Sequence, residues 1–170
     1  MPDDSERYDP IPPMLALSDA NVDFVVIGGI AAQVHGSAQL TFDLDVAYER
    51  ADSNLNQIVD VLRALHARLR GAPPGLPFQL DARTLKAGAN FTFATDYGSV
   101  DILADPVGAP PYNKLRADAV TREIDGRSVR FASIDHLIAM KEATGRTKDK
   151  NAAAELRLLA DEIRRREAEG

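Results

Sequence analysis

The sequence has no cysteine. That excludes a disulfide framework, a thiolate nucleophile and any cysteine-ligated zinc, and it fits a cytoplasmic protein. An excess of basic residues is also missing: 20 Lys and Arg stand against 26 Asp and Glu, a net charge of −6 with a pI near 5.0. A broad, non-specific nucleic-acid surface needs the opposite balance, which leaves room only for a local basic site. No apolar run approaches the length of a membrane span. The opening residues MPDDSERYDPIPP carry neither a basic start nor an apolar stretch and do not read as a signal peptide. Internal repeats and low-complexity blocks are absent too. What is present is 45% hydrophobic and 27% charged residues over 170 positions. That is enough to pack one core, with a helical extension if the pattern asks for it.

Residues 1–10 read as a flexible tail. IPPMLALSDANV reads as a short helix with its proline pair tolerated at the start. DFVVIGG (23–29) reads as a buried strand ending in Gly-Gly, IAAQVHG as a short helix closed by Gly36, and DLDVAYE (43–49) as a second strand. The spacing of Leu55, Ile58, Leu62, Leu65 and Leu69 predicts one long helix over 51–70, capped by Asp52 or Ser53. GAPPGLP (71–77) and PVGAPPYN (106–113) read as loops. NFTFAT and SVDILA flank a turn in one hairpin, and AVTREIDGRSVRF holds another at Asp125-Gly126. SIDHLIAMKEATG is a helix opened by Ser133 and stopped by Gly145. A final helix from residue 148 would bury Ala152, Leu156, Leu159 and Ile163. This order predicts an α+β fold, a mixed β-sheet with flanking helices over 11–132 and a C-terminal helical part over 133–170.

The stretch TFDLD (41–45) is the oddity. In a strand, Asp43 and Asp45 point to the same face. Two like charges about 7 Å apart beside a hydrophobic core repel, and their desolvation is costly. Either that face is solvated or something positive sits between them. Three other features bear on the choice. Gly28-Gly29 follows a strand and opens a helix, where bare N–H groups can hold an anion and glycine lets it approach; a ligand-free tight turn is the plainer reading. Asp101 lies among apolar residues in another strand, where an edge position facing water would also account for it. Lys141, Arg146 and Lys148 surround a helix–helix junction. Taken together, three carboxylates from neighbouring strands suit two Mg²⁺ ions, which prefer oxygen ligands. Such a pair stabilises the attacking and leaving oxygens of an in-line displacement, while a Gly-Gly turn and a cation hold the phosphates.

The run GGIAAQVHGSAQLTFDLDV resembles the pattern of the DNA polymerase beta-like nucleotidyltransferases: Gly-Gly, a spacer, then Asp-x-Asp. The form G-G-x-A-A…H-G…T-x-D-L-D is similar to the small bacterial branch that includes abortive-infection and toxin–antitoxin nucleotidyltransferases. NFTFATDYGSVDIL resembles that branch's third-carboxylate strand, and HLIAMKEATGRTKDKNAAAEL its helical end. The likeness spans about residues 22–160. It implies a nucleotidyltransferase fold and a Mg²⁺-dependent transfer of a nucleoside monophosphate from an NTP to an acceptor hydroxyl, with pyrophosphate released. The acceptor would be a tRNA or other RNA end, a protein or a small molecule. Carried over by position, Gly28 and Gly29 contact the nucleotide phosphates. Asp43, Asp45 and Asp101 bind metal, and Asp101 also helps deprotonate the acceptor. Lys141 touches phosphate, and Lys148 with Asp149 matches a Lys-Asp pair of structural character. The family pattern R-x-T-x-D is broken here by Gln39.

Plainer readings stand beside these. His35 reads as a helix end rather than a phosphate ligand, and Ser37 equally as a phosphate donor or a loop hydroxyl. Thr41 supports a strand start. His66 and His136 read as ordinary helical residues, and the 164–167 run RRRE as a solvated helix end. Arg83 and Lys86 could reach an acceptor. Two alternatives to the enzyme follow: a nucleotide- or partner-binding module of the same fold with weak or no turnover, which Gln39 favours, and the toxin of a pair silenced by an antitoxin.

Overall fold

Four consecutive buried residues, Phe24–Ile27, make β1, the apolar spine of the molecule. The computed structural model describes residues 8–73 and 75–170. Around β1 stand β2 (Asp43–Tyr48), β3 (Arg68–Leu69), β4 (Asn90–Thr95), β5 (Gly98–Leu103), β6 (Val120–Ile124) and β7 (Arg127–Phe131). They form one seven-stranded mixed sheet in the order β3-β4-β5-β2-β1-β7-β6. β2 pairs antiparallel to β1 and parallel to β5, and β1 runs parallel to β7. Helices α1 (Ile11–Asp19), α2 (Gly28–Val34), α3 (Asp52–Ala64), α4 (Ala82–Ala87), α5 (Tyr112–Ala117), α6 (Ile134–Ala143) and α7 (Thr147–Glu169) flank it. The architecture is the α+β mixed sheet the sequence predicts.

The period-two alternation of strands separates core from site. On β2, Leu44 and Val46 are buried, while Asp43 and Asp45 turn to the opposite face. On β5, Val100 and Ile102 are buried, with Ser99 and Asp101 on the alternate positions. The buried set joins Leu55, Ile58 and Leu62 of α3 and Leu85 of α4 in one core. Phe78, Phe91 and Phe93 add an aromatic group with centroids 6.2 Å apart.

Both hairpins form as read. Asp125 and Gly126 take positive φ, 47° and 81°, as a two-residue turn matched to strand twist demands. Ser133 caps α6 by accepting from the His136 amide at 3.2 Å. His35 ends α2, and its Nε2 donates to the Ala132 carbonyl at 2.8 Å, tying that helix end to the strand leaving β7.

Four local expectations are corrected. The long helix over 51–70 stops at Ala64, and Leu69 belongs to β3. His66 takes φ 55°, its amide donating to Arg63 and that of Ala67 to Leu62, which closes the helix and reverses the chain. Neither Asp52 nor Ser53 caps α3; Ala51 holds that position without a side-chain bond. Two short helices fall where loops or irregular chain were expected. In α4, Asp81 accepts from the Thr84 amide at 2.7 Å, and α5 begins at Tyr112. The stripe of α7 is Ala153, Leu156 and Ala160, with Ala152, Leu159 and Ile163 half-buried on its shoulder. Of the expected tail, residues 1–7 lie outside the described residues. Asp9 donates its amide to the Tyr97 carbonyl at 2.9 Å and accepts from the Ile11 amide at 3.0 Å.

Candidate active site

The parallel pairing of β2 and β5 sets Asp43 opposite Ser99 and Asp45 opposite Asp101. Three carboxylates therefore share one face of the sheet. Their burial is unequal. Asp43 is 45% exposed and accepts from Arg70 Nη1 at 2.9 Å, the same guanidinium donating to Ser99 Oγ at 2.8 Å. Asp45 is deeper. Burial first, then the charge of Asp101 and that of Asp43, push its carboxyl up to about 7, against an opposing pull from Lys141. Burial raises Asp101 as well, while Asp45, Arg70 and Thr92 lower it. The two carboxyls titrate as a pair, and burial raises both members. Among the described residues, Asp101 Oδ1 is buried and has no hydrogen-bond partner.

Gly28 and Gly29 open α2 directly beneath Asp45. Gly28 has φ +69°, and a Cβ there would stand 2.2 Å from Asp45 Oδ2; one on Gly29 would stand 2.7 Å from Thr41 Cβ. Glycine is required at both positions by protein atoms. α2 is only seven residues long, so its dipole is slight, and what the turn offers an anion is exposed N–H groups at close range.

Lys141 of α6 and Lys148 of α7 bring the positive charge. They line a cavity of about 200 Å³ with Gly29, Ser37, Thr41, Asp43, Asp45 and Glu155. Asp149 fixes this corner. Its side chain is 4% exposed. It accepts from Thr144 Oγ1 at 2.6 Å, Arg146 Nε at 2.7 Å and Lys141 Nζ at 3.5 Å, and these partners, Thr144 foremost, hold its carboxyl below the usual range. Ser37 donates to Glu155 Oε1 at 3.2 Å and Gln39 Nε2 to Glu155 Oε2 at 2.6 Å; both residues are bound up with α7.

The remaining candidates fall away from this cluster. Arg83 and Lys86 lie on a separate groove with Asp52. His66 pairs with Asp96, and His136 with Asp118. Arg70 is the site residue that sequence reading missed. It lies in a stretch assigned to helix, and it reaches Asp43 only because the chain reverses at His66.

Among the described residues, no three acidic or histidine side chains converge tightly enough as they stand to ligate one ion, Asp43 being turned to Arg70. The donor set nevertheless fits Mg²⁺. All its ligands would be carboxylate oxygens, and the orphaned Asp101 Oδ1 lies among them.

No family model matches the chain, and no curated protein matches it in sequence. Solved structures do match in three dimensions. The solution structure of the antibiotic-resistance factor ANT(2'')-Ia aligns with a TM-score of 0.52 at 17% identity, over 93% of this chain and 91% of that one. TM1012 of Thermotoga maritima, a candidate nucleotidyltransferase, aligns with a TM-score of 0.53 at 15% identity, over 89% of both chains. The fold is that of a nucleotidyltransferase. A crystal structure of ANT(2'')-Ia in complex with adenylyl-2''-tobramycin aligns with a TM-score of 0.51 at 14% identity, over 91% of this chain and 94% of that one. Among the described residues, no helix is long and apolar enough to cross a membrane.

Proposed function

We propose that the chain is a nucleotidyltransferase that moves a nucleoside monophosphate from an NTP to an acceptor hydroxyl, releasing pyrophosphate. The observation that carries this reading is the in-register face of Asp43, Asp45 and Asp101, laid against the Gly28-Gly29 turn and facing Lys141. Asp43, Asp45 and Asp101 would hold Mg²⁺, which when bound supplies charge neutralisation for the attacking and leaving oxygens. The amides of Gly28 and Gly29 and the ammonium groups of Lys141 and Lys148 bind and orient the phosphates. Asp101 Oδ1 accepts the proton of the acceptor hydroxyl. Ser37 sits at the cavity wall as a further phosphate donor once Glu155 releases it.

A small-molecule acceptor is favoured over an RNA end. The net charge of −6 repels a polyanion, and ANT(2'')-Ia, of similar fold, forms a complex with an adenylylated aminoglycoside. Glu155 places a carboxylate in the same cavity, suited to a cationic acceptor. A toxin controlled by an antitoxin would use this same chemistry on a protein or RNA acceptor.

The second reading, a nucleotide-binding module with weak or no turnover, is favoured by Gln39. The resembled family has an arginine there, and Gln39 is committed to Glu155.

The test is thermal denaturation with each NTP, with and without Mg²⁺, on the wild type and Asp43→Ala. A ligand that binds only the folded state raises the melting temperature with concentration. A Mg²⁺-dependent rise lost in the variant supports the site; pyrophosphate release then separates the enzyme from the module. No rise with any NTP overturns both.

A further inference from the structure

β4 and β3 extend the carboxylate face away from the Gly28-Gly29 turn. Paired residues of neighbouring strands share a face, and the register gives two rows. Asp45 pairs with Asp101, Asp101 with Thr92, and the Arg70 amide donates to the Thr92 carbonyl at 3.0 Å. Asp43 pairs with Ser99, Ser99 with Ala94, and Ala94 with Arg68. Leu69, between the two arginines, pairs with Phe93, which is buried on the opposite face. The sheet therefore carries a shelf beside the carboxylates. Its floor is Thr92, Ala94 and Ser99, small and only partly buried, and its edge is Arg68 and Arg70, both exposed. The Arg70 side chain runs along it, with Nη1 donating to Ser99 Oγ at 2.8 Å and to Asp43 Oδ1 at 2.9 Å. The cavity of Gly29, Lys141, Lys148 and Glu155 lies on the other flank, on the β1 side of β2.

The reaction proposed above fills that cavity with the NTP, so its acceptor reaches Asp101 from the β4 side. We infer that the shelf receives the acceptor, and that Arg68 and Arg70 bind a phosphate group carried by a small molecule whose hydroxyl meets Asp101. This rests on the nucleotidyltransferase reading. Two guanidinium groups on one edge offer paired N–H donors matched to a phosphate, with the Ser99 and Thr92 hydroxyls beside them. The net charge of −6 repels anions at large, so two arginines suit one anionic group and not a polyanion. Neutralising the carboxylates accounts for Arg70, which bonds Asp43, but not for Arg68, which has two strands between it and that residue. Bare Asp43 and Asp101 oppose an anion on the shelf; with Mg²⁺ on those carboxylates the opposition is offset and the Arg70 guanidinium turns to the phosphate. β3 lies about 10 Å from β5, and an arginine spans part of that, so phosphate and hydroxyl belong to one compact molecule. A cationic group on the same acceptor would be read on the opposite flank, by Glu155. The acceptor oxygen forms its bond to the α-phosphorus, its proton passes to Asp101, and pyrophosphate leaves with the electron pair of the bond that breaks.

The test is an NMR titration of the ¹⁵N-labelled full chain with glycerol 3-phosphate, ribose 5-phosphate and glucose 6-phosphate, each against its unphosphorylated parent. Mg²⁺ is present, and the cavity is filled by the α,β-methylene analogue of whichever NTP raises the melting temperature most. The expected result is saturable shifts at the amides of Arg68, Arg70, Thr92 and Ser99 with a phosphorylated member, and none with its parent. Arg68→Gln and Arg70→Gln should each weaken this binding about tenfold, as loss of a charge-assisted hydrogen bond does, while the analogue still raises their melting temperatures. With the NTP itself, the member that binds should speed pyrophosphate release, and Arg68→Gln should raise the concentration needed. Equal binding of phosphorylated and parent forms, binding that survives both variants, or binding without faster pyrophosphate release overturns the inference. So does the absence of shelf shifts in a chain whose melting temperature rises with NTP and Mg²⁺, an outcome that leaves the nucleotidyltransferase reading standing. Absence of that rise overturns the two together.

Discussion

Asp45 and Asp101 stand directly opposite each other across the parallel pairing of β2 and β5, and burial, with the charge of Asp101 beside it, raises the Asp45 carboxyl. A carboxyl whose folded value exceeds its unfolded one binds more protons folded than unfolded, so stability falls as pH rises between the two values. For Asp45 that window runs from 3.8 to about 7. With divalent cations removed, the melting temperature should fall between about pH 5 and about pH 7. Asp45→Asn should flatten this part of the profile and gain about 1 kcal/mol at neutral pH, because it removes a repelled, partly desolvated charge. A slope that survives in the variant would assign it to other groups.

Gly28 tests whether the turn exists for the carboxylate. Gly28→Ala puts a Cβ where Asp45 Oδ2 lies, at φ +69°. It should cost about 1–2 kcal/mol from backbone strain and abolish the NTP-dependent thermal shift by displacing Asp45. Gly126→Ala is the control. It has φ +81° with nothing within 4 Å, so it should bear similar strain and leave NTP binding intact. Equal effects on binding from the two variants would mean that Gly28 matters only for folding.

Both hairpins, the buried β1, the start of α6 and the three carboxylates were legible because each follows from a local rule: turn chemistry, an apolar run, a capping serine, alternation along a strand. The register that brings Asp45 to Asp101 is a long-range pairing, and no local pattern states it. His66 was opaque for another reason. The chain turns back there through a left-handed residue that is not glycine, so the apolar spacing through Leu69 looked unbroken. Arg70 was lost with it. The short α4 did have a signal, Asp81 three residues before Thr84, which the surrounding loop composition hid. In sequence, Gly28 and Gly29 read as a ligand-free tight turn or a phosphate site, yet the crowding that demands glycine comes from Asp45 and Thr41, visible only once β2 lies beside α2.

Arg70 Nη1 donates to Asp43 Oδ1 at 2.9 Å. Both partners are nearly half exposed, so Arg70→Ala should change stability by no more than about 0.5 kcal/mol. Removing a cation that competes for the same carboxylate should instead tighten Mg²⁺ binding severalfold, measured by calorimetric titration without nucleotide. Weaker Mg²⁺ binding would show that Arg70 orients Asp43 for the metal rather than competing with it.

Asp149 is the buried anchor of the α6–α7 junction. Asp149→Ala strands the Thr144 hydroxyl and two cations and should cost about 3 kcal/mol in urea denaturation. Asp149→Asn keeps an oxygen for Thr144 and should cost less. Both should weaken NTP binding, since Lys141 loses the carboxylate that steadies it beside Asp45. Unchanged NTP affinity in the Asn variant would detach Asp149 from the site and leave it a role in folding alone.

Gln39 and Glu155 form one unit, their side chains joined at 2.6 Å. An arginine at 39 would meet the Glu155 carboxylate before it met a phosphate, so Gln39→Arg alone should leave NTP affinity nearly unchanged. Combining it with Glu155→Gln frees the guanidinium and removes a negative charge from the cavity. The double variant should bind NTP more tightly by more than the two single effects together, a coupling that a double-mutant cycle reads directly. Strict additivity would mean that Glu155 does not hold position 39 away from the nucleotide, and that the glutamine itself is what the site uses.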